Sequence, residues 1–215
     1  ESGAIVPPDD FWPRIREATK KYKVLLIADE VQTGLGRTGK LWGVEHWNVV
    51  PDILTVAKSL GGGVMPISAV TTTEEIFQPM MYPNPFMHTT TTGGNALACS
   101  AAISAIHVTL RERLWEQAAE KGAYLMPHLE NFVVQYPHIF ERVTGKGLLI
   151  GMHFKNPEIG YKVSAGLFKR GVLVSGTLTS AQTVRLEPPL IVTKEQIDML
   201  LERLGDTLNE ISKTM

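Results

Sequence analysis

Two short, unbroken apolar runs each stop abruptly at a charged residue. Val24-Leu25-Leu26-Ile27-Ala28 gives way to Asp29-Glu30, and Ile53-Leu54-Thr55-Val56-Ala57 gives way to Lys58. An apolar run this short, without alternation, is the pattern of a strand covered on both faces, as in a parallel sheet. The segment before the first run supports that reading. Phe11, Ile15, Ala18 and Tyr22 recur at helical spacing, Pro13 lies in the first turn, and Asp9 and Asp10 stand where an N-cap is expected. Helix followed by buried strand predicts an α/β fold. In such sheets ligands bind beyond the carboxyl ends of the strands, which is where Asp29 and Lys58 fall.

The rest of the chain extends this plan. Thr33–Lys40 and Gly61–Gly63 read as loops, Ile67–Thr73 as a third strand, and Tyr82–Pro85 as irregular. The small-residue stretch from Gly94 to about Arg111 predicts a helix packed closely by neighbours, and a second helix runs from Leu114 towards Tyr136. After Pro137 the texture changes: Gly147–Phe154, Val172–Ser175 and Thr183–Leu186 read as strands and Ile159–Lys169 as a helix. Thr193 and Gln196 form a capping-box pattern ahead of Ile197, Leu200, Leu201, Leu204 and Leu208. The expected division is residues 1–113, the later part of a large domain with a mainly parallel sheet, and residues 114–215, a small α+β domain with its connecting helix.

Composition limits the partners. With 21 Lys and Arg against 22 Asp and Glu there is no basic excess for nucleic acid. No apolar run approaches the length of a membrane helix. A lone cysteine, Cys99, forms no intrachain disulfide and suits a reducing, cytoplasmic compartment. No two histidines stand at the i, i+4 spacing of a helical metal site, so no metal is expected. The chain begins with Glu1 instead of Met and is read as a piece of a longer protein.

Two chemistries compete for the glycine-rich and charged positions. Gly34–Lys40 satisfies the G-x-x-x-x-G-K part of a phosphate-binding loop, but Leu41 stands where a magnesium-binding hydroxyl belongs, and five residues separate the loop from its strand. The other is a lysine Schiff base. Burial would favour the neutral amine of Lys58, and Asp29 could hold a heterocyclic nitrogen protonated, the minimum protein kit for pyridoxal phosphate. The His88–Asn95 run then offers hydroxyls and glycines at a helix start, suited to a phosphate.

Taken together, Leu26–Gly34, Gly36–Gly39, Pro51–Ile53, Ala57–Gly63 and His88–Asn95 resemble the class III (omega) aminotransferases of pyridoxal-phosphate fold type I. Gly63–Ile67, Asn84–Phe86, Glu158–Tyr161, Gly176–Leu178 and Val184–Leu190 look like the putrescine (diamine) branch of that class. The resemblance implies that Lys58 binds the cofactor and shuttles a proton, and that Asp29 pairs with the pyridine nitrogen. Val31 would pack on a ring face and Gln32 would reach the phenolic oxygen. Thr91 would reach the phosphate of the neighbouring subunit, making the active form a homodimer or higher even oligomer. Arg185 would receive the carboxylate of a 2-oxo acid acceptor such as 2-oxoglutarate. Other amine donors of the class (4-aminobutyrate, ornithine, acetylornithine) stay open. So do decarboxylation and racemisation, which begin from the same cofactor adduct. Thr92 and Ala96 depart from the family pattern, which has an aromatic residue and often Pro there. The likeness covers only the C-terminal half of such enzymes. A further expectation is therefore that the chain is inactive until joined to an N-terminal half bearing the Ser/Gly-rich phosphate loop and the aromatic residue that stacks on the cofactor.

Overall fold

The computed structural model describes residues 2–215; Glu1 lies outside them. The chain divides into two compact units. One holds Pro7–Gly36 and Lys40–Arg113; the other holds the residues up to Val6, Arg37–Gly39 and Leu114–Met215.

In the first unit, helix α1 (Phe11–Lys21) leads to strand β1 (Ile27–Asp29), which pairs in parallel with β2 (Ile53–Val56) in the register Ile27 to Ile53 and Asp29 to Thr55. Strand β3 (Ala69–Thr72) lies antiparallel on the other side of β2. The expected mainly parallel sheet is thus, in this chain, three strands with one parallel and one antiparallel pair. The expected aspartate cap is not made. Asp10 sits at the N-cap position with helical backbone angles and makes no capping bond; its carboxylate accepts instead from Arg14 one turn on, at 3.2 Å. Capping needs an extended N-cap backbone, which Asp10 lacks.

Nor is β1 covered on both faces. Leu26 and Ala28 are buried, while Val24, Leu25 and Ile27 are exposed. The core cluster of this unit packs Leu35, Val56, Leu60 and Ala102 against Trp42, Leu54, Ile67 and Ile106. Asp52 braces this unit. It accepts two bonds from Arg16 of α1, at 2.6 and 2.8 Å, and one from the backbone N–H of Leu26 at 2.7 Å. Helix α2 (Glu74–Met81), capped by the Thr73 hydroxyl, was not foreseen, because Pro79 breaks its sequence pattern. Helix α3 (Ala96–Arg111) starts where expected; the Asn95 side chain caps it by accepting from the Ala98 N–H at 3.1 Å.

The second unit begins with helix α4 (Leu114–Gln135). Strands β4 (Phe140–Lys146) and β5 (Leu149–Phe154), helix α5 (Pro157–Lys169), strands β6 (Ser175–Gly176) and β7 (Thr183–Leu186), and helix α6 (Lys194–Lys213) follow. The sheet is antiparallel throughout, in the order β4-β5-β7-β6. All six residues of β5 are buried, and its side chains meet Leu125 and Leu129 of α4, Val163 and Leu167 of α5, and Ile197, Leu204 and Leu208 of α6 in one core. The Thr193–Gln196 capping box forms in both directions, at 3.3 and 3.0 Å. Of the strand expected over Val172–Ser175 only Ser175 pairs, while Val172 and Val174 pack on the core.

Candidate active site

The carboxyl ends of the parallel pair β1 and β2 gather four of the residues singled out above. Asp29 closes β1, is exposed, and accepts a hydrogen bond through Oδ1 from the Val31 N–H at 3.0 Å. The Glu30 N–H continues the ladder to Thr55 O at 2.9 Å, so the chain leaves the sheet directly beside β2. Beyond the end of β2, the Lys58 Nζ donates to Gln32 Oε1 at 3.2 Å. Asp29, Val31, Gln32 and Lys58 therefore belong to one end of one sheet.

Lys58 opens a single turn of 3₁₀ helix, Lys58–Gly61, with φ of 43°. A side-chain-bearing residue in the left-handed region costs of order 1–3 kcal/mol and persists only where its surroundings over-determine it. Here the next residues do so. The Leu60 N–H bonds Ala57 O at 2.9 Å, the Gly62 N–H bonds Ser59 O at 3.0 Å, and Leu60 is buried beside Val56 and Ala102. Gly62 turns at φ of 62°, and a Cβ there would lie 3.2 Å from Ala105 Cβ of α3. The small residues of α3 thus let the helix approach the lysine turn. The burial expected around the amine is not provided by this chain: Lys58 is exposed, with Gln32 as its polar contact.

Glu30 has a role that the sequence did not reveal. Its carboxylate is buried and accepts from the N–H groups of Gly43 and Val44, both at 2.8 Å, and from the Thr33 hydroxyl. The loop between β1 and β2 is folded around this acid. A Cβ at Gly34 would come 2.8 Å from Glu30 O and 2.9 Å from the Trp42 ring, so the loop closes only with glycine there. This also disposes of the nucleotide-loop reading. The Gly34 N–H bonds Glu30 O at 3.0 Å and the Gly36 N–H bonds Leu41 O at 3.2 Å, so these donors are spent inside the loop.

Thr91 is not part of the Asp29–Lys58 group; it is exposed in the turn that leads into α3. At the start of that helix the Ala98 N–H is taken by the Asn95 side chain.

In the second unit, Arg185 lies on β7. Its Nε donates to Gly176 O at 3.0 Å, one Nη donates to Ser175 Oγ at 3.1 Å, and the other stands 3.3 Å from Glu187 Oε1. Both charged side chains are largely buried, 11% and 25% exposed. The guanidinium is thus fixed against β6 and already faces the carboxylate of Glu187, one residue beyond the end of β7.

Comparison with known proteins gives a consistent result. The model of the family described as aminotransferase class-III matches residues 1–208. A putrescine aminotransferase of Pectobacterium atrosepticum is 46% identical over 215 residues, which is 100% of this chain and 46% of that protein. The solved ornithine δ-aminotransferase of Plasmodium falciparum superposes with a TM-score of 0.91 at 36% identity, covering 99% of this chain and 54% of that one. An amine transaminase from an uncultivated Pseudomonas species, solved in its PLP-bound form, gives a TM-score of 0.88 at 32% identity over 97% of this chain and 49% of that one. The chain spans about half the length of the relatives it matches.

Proposed function

The chain belongs to the class III aminotransferases, and on that premise we propose that it carries the lysine-bearing part of an enzyme moving an amino group from an aliphatic diamine such as putrescine to 2-oxoglutarate. Enzymes of this class have the fold type I architecture and depend on pyridoxal 5′-phosphate. The observation that carries the proposal is the convergence of Lys58, Gln32 and Asp29 at the carboxyl ends of β1 and β2. An amine for attachment and a carboxylate for a protonated ring nitrogen are the pair this cofactor requires, and an amide beside them suits a phenolic oxygen. When bound, the cofactor supplies an electron sink for breaking and making bonds at the amine-bearing carbon.

The chain's own groups do the rest. Lys58 would be the attachment point, and its Nζ would carry the proton between the donor carbon and the cofactor. Asp29 holds the ring nitrogen cationic. Val31 packs against a ring face, and Gln32 donates to the phenolic oxygen. Thr91 reaches the phosphate of a neighbouring subunit, so the working form is a homodimer or a higher even oligomer. Arg185 binds the acceptor carboxylate with its planar fork. Residues 1–113 act as the later part of the large cofactor domain and residues 114–215 as the small one. A cytoplasmic setting fits the single cysteine, and among the described residues no helix is long and apolar enough to cross a membrane.

Absorbance scans of the complete enzyme that contains this chain, with pyridoxal phosphate before and after putrescine, test the reading. Putrescine should discharge the yellow form, and 2-oxoglutarate should restore it. A response to ornithine and none to putrescine would favour the second reading, an ornithine-type donor, which the P. falciparum likeness supports. No response to any amine would overturn both.

A further inference from the structure

A half-buried cation of the second unit, Arg37, has no part in the chemistry described so far. Arg37 donates through Nη1 to Pro188 O at 2.5 Å and to Leu148 O at 3.2 Å, and its own carbonyl accepts from the Leu148 N–H at 3.0 Å. Its surroundings are rigid. A Cβ at Gly147 would fall 2.4 Å from the Thr38 carbonyl carbon, and one at Gly122 would fall 2.3 Å from Gly147 O. Three backbone segments meet here with no room for a side chain, which fixes where the guanidinium points. Burial lowers the pKa of Arg37 from its ordinary value, and the charge of Glu187 acts in the opposite sense.

The carbonyl held by Arg37 belongs to the residue after Glu187, and Glu187 faces Arg185. One carboxylate against one guanidinium, both largely buried, would cancel the charge that an anionic acceptor needs. Arg37, bonded at 2.5 Å to the carbonyl of the residue that follows Glu187, brings a second guanidinium to this stretch of chain and leaves the group with a net positive charge. We propose that Arg37 is a positioning residue for the acceptor: it shares the charge of Glu187 and clamps the Pro188 carbonyl, so that Arg185 stays fixed on β7 and cationic. This rests on the reading that Arg185 receives the acceptor carboxylate.

The test uses the complete holoenzyme with three variants, Arg37→Met, Glu187→Gln and the pair combined, alongside Arg37→Lys. KM is measured separately for 2-oxoglutarate and for putrescine, and glutarate, an unreactive dicarboxylate, is titrated by calorimetry. Arg37→Met should raise the KM for 2-oxoglutarate and weaken glutarate roughly tenfold, with the KM for putrescine little changed. Adding Glu187→Gln should recover most of that loss, because the carboxylate to be offset is gone. A purely structural clamp would show no such recovery. Arg37→Lys keeps the charge and should stay close to wild type. If Arg37→Met does not fold, Glu187→Gln alone decides, since it should tighten glutarate. The inference is overturned by an unchanged oxo-acid KM in Arg37→Met, by loss without recovery in the folded pair, or by glutarate binding that Glu187→Gln does not improve. A wild-type enzyme that neither turns over 2-oxoglutarate nor binds glutarate would instead remove the reading of Arg185 on which the inference stands.

Discussion

Lys58 combines an exposed amine with a left-handed backbone, and the two belong together. A regular strand ending would carry the side chain off along the sheet, whereas the 3₁₀ turn at φ of 43° sets the amine within reach of Gln32. Made in the complete enzyme, Lys58→Ala should therefore abolish both the yellow absorbance with pyridoxal phosphate and the amine half-reaction, read by absorbance and by stopped flow. Turnover retained in that variant would remove the assigned role. Asp29→Asn should keep the cofactor bound and slow the half-reaction by on the order of 10²-fold, the loss typical of removing one fixed charge from a developing transition state. A normal rate would contradict its pairing with the ring nitrogen. These two residues were legible because a charge closing an apolar run is conspicuous. Glu30, Glu187 and Arg37 were not. Glu30 and Arg37 bond mostly to backbone groups, which leave no trace in residue types, and the carbonyls that Arg37 meets lie more than a hundred positions away.

Elements were legible where a local rule acted alone. Helix α6 announced itself through Thr193, Gln196 and an apolar stripe, and it folds as that pattern requires. Thr193→Ala should cost about 1 kcal/mol, the usual worth of an N-cap, and lower the thermal midpoint by a few degrees. Calorimetry of the chain checks it, and an unchanged midpoint would mean that the cap is idle. Strand β4 escaped notice because Glu141, Arg142 and Lys146 interrupt its apolar pattern and its pairing with β5 shifts register between Phe140 and Arg142. The tie between α1 and the sheet is tertiary and equally hidden. Arg16 and the Leu26 N–H hold the Asp52 carboxyl down at about 2. A carboxylate whose folded pKa is depressed stabilises the fold fully above its unfolded value near 3.9, and that contribution fades as the pH falls towards about 2. At 1.36 kcal/mol per unit the effect is at most about 2.6 kcal/mol. Asp52→Asn should lower the midpoint at pH 7 and narrow the gap to wild type between pH 4 and pH 2. A gap that stays constant across that range would show that the charge is not what Asp52 contributes.

On the scale of the whole chain the two units are unequally finished. The second encloses a core in which Leu125, Leu129, Ile150, Met152, Phe154, Leu204 and Leu208 are all fully covered. The first gathers Leu35, Val56, Leu60 and Ala102 into a smaller cluster, with Leu26, Ala28, Val44, Val49 and Ala98 also buried, while Val24, Ile27, Val70, Leu97 and Ile103 face outward. The sequence expectation of a strand covered on both faces therefore has a physical content of its own. Val24–Ala28 has the composition of a doubly buried strand, and the 215 residues here cover only one side of it. Single exposed apolar residues are ordinary, but a group of them on one small sheet and the helix packed on it marks a surface that another surface must meet. With so little enclosed apolar area, the first unit should open at low cost, since local stability follows buried contacts. Expressed by itself, the chain should bind a dye specific for exposed apolar surface and scatter light with a mass above 23.7 kDa. In hydrogen exchange the amides of β4, β5 and β7 should be protected far longer than those of β1, β2 and β3. A monodisperse 23.7 kDa species with no dye binding and even protection across both sheets would show that the first unit stands unaided, and the outward residues would then need another explanation.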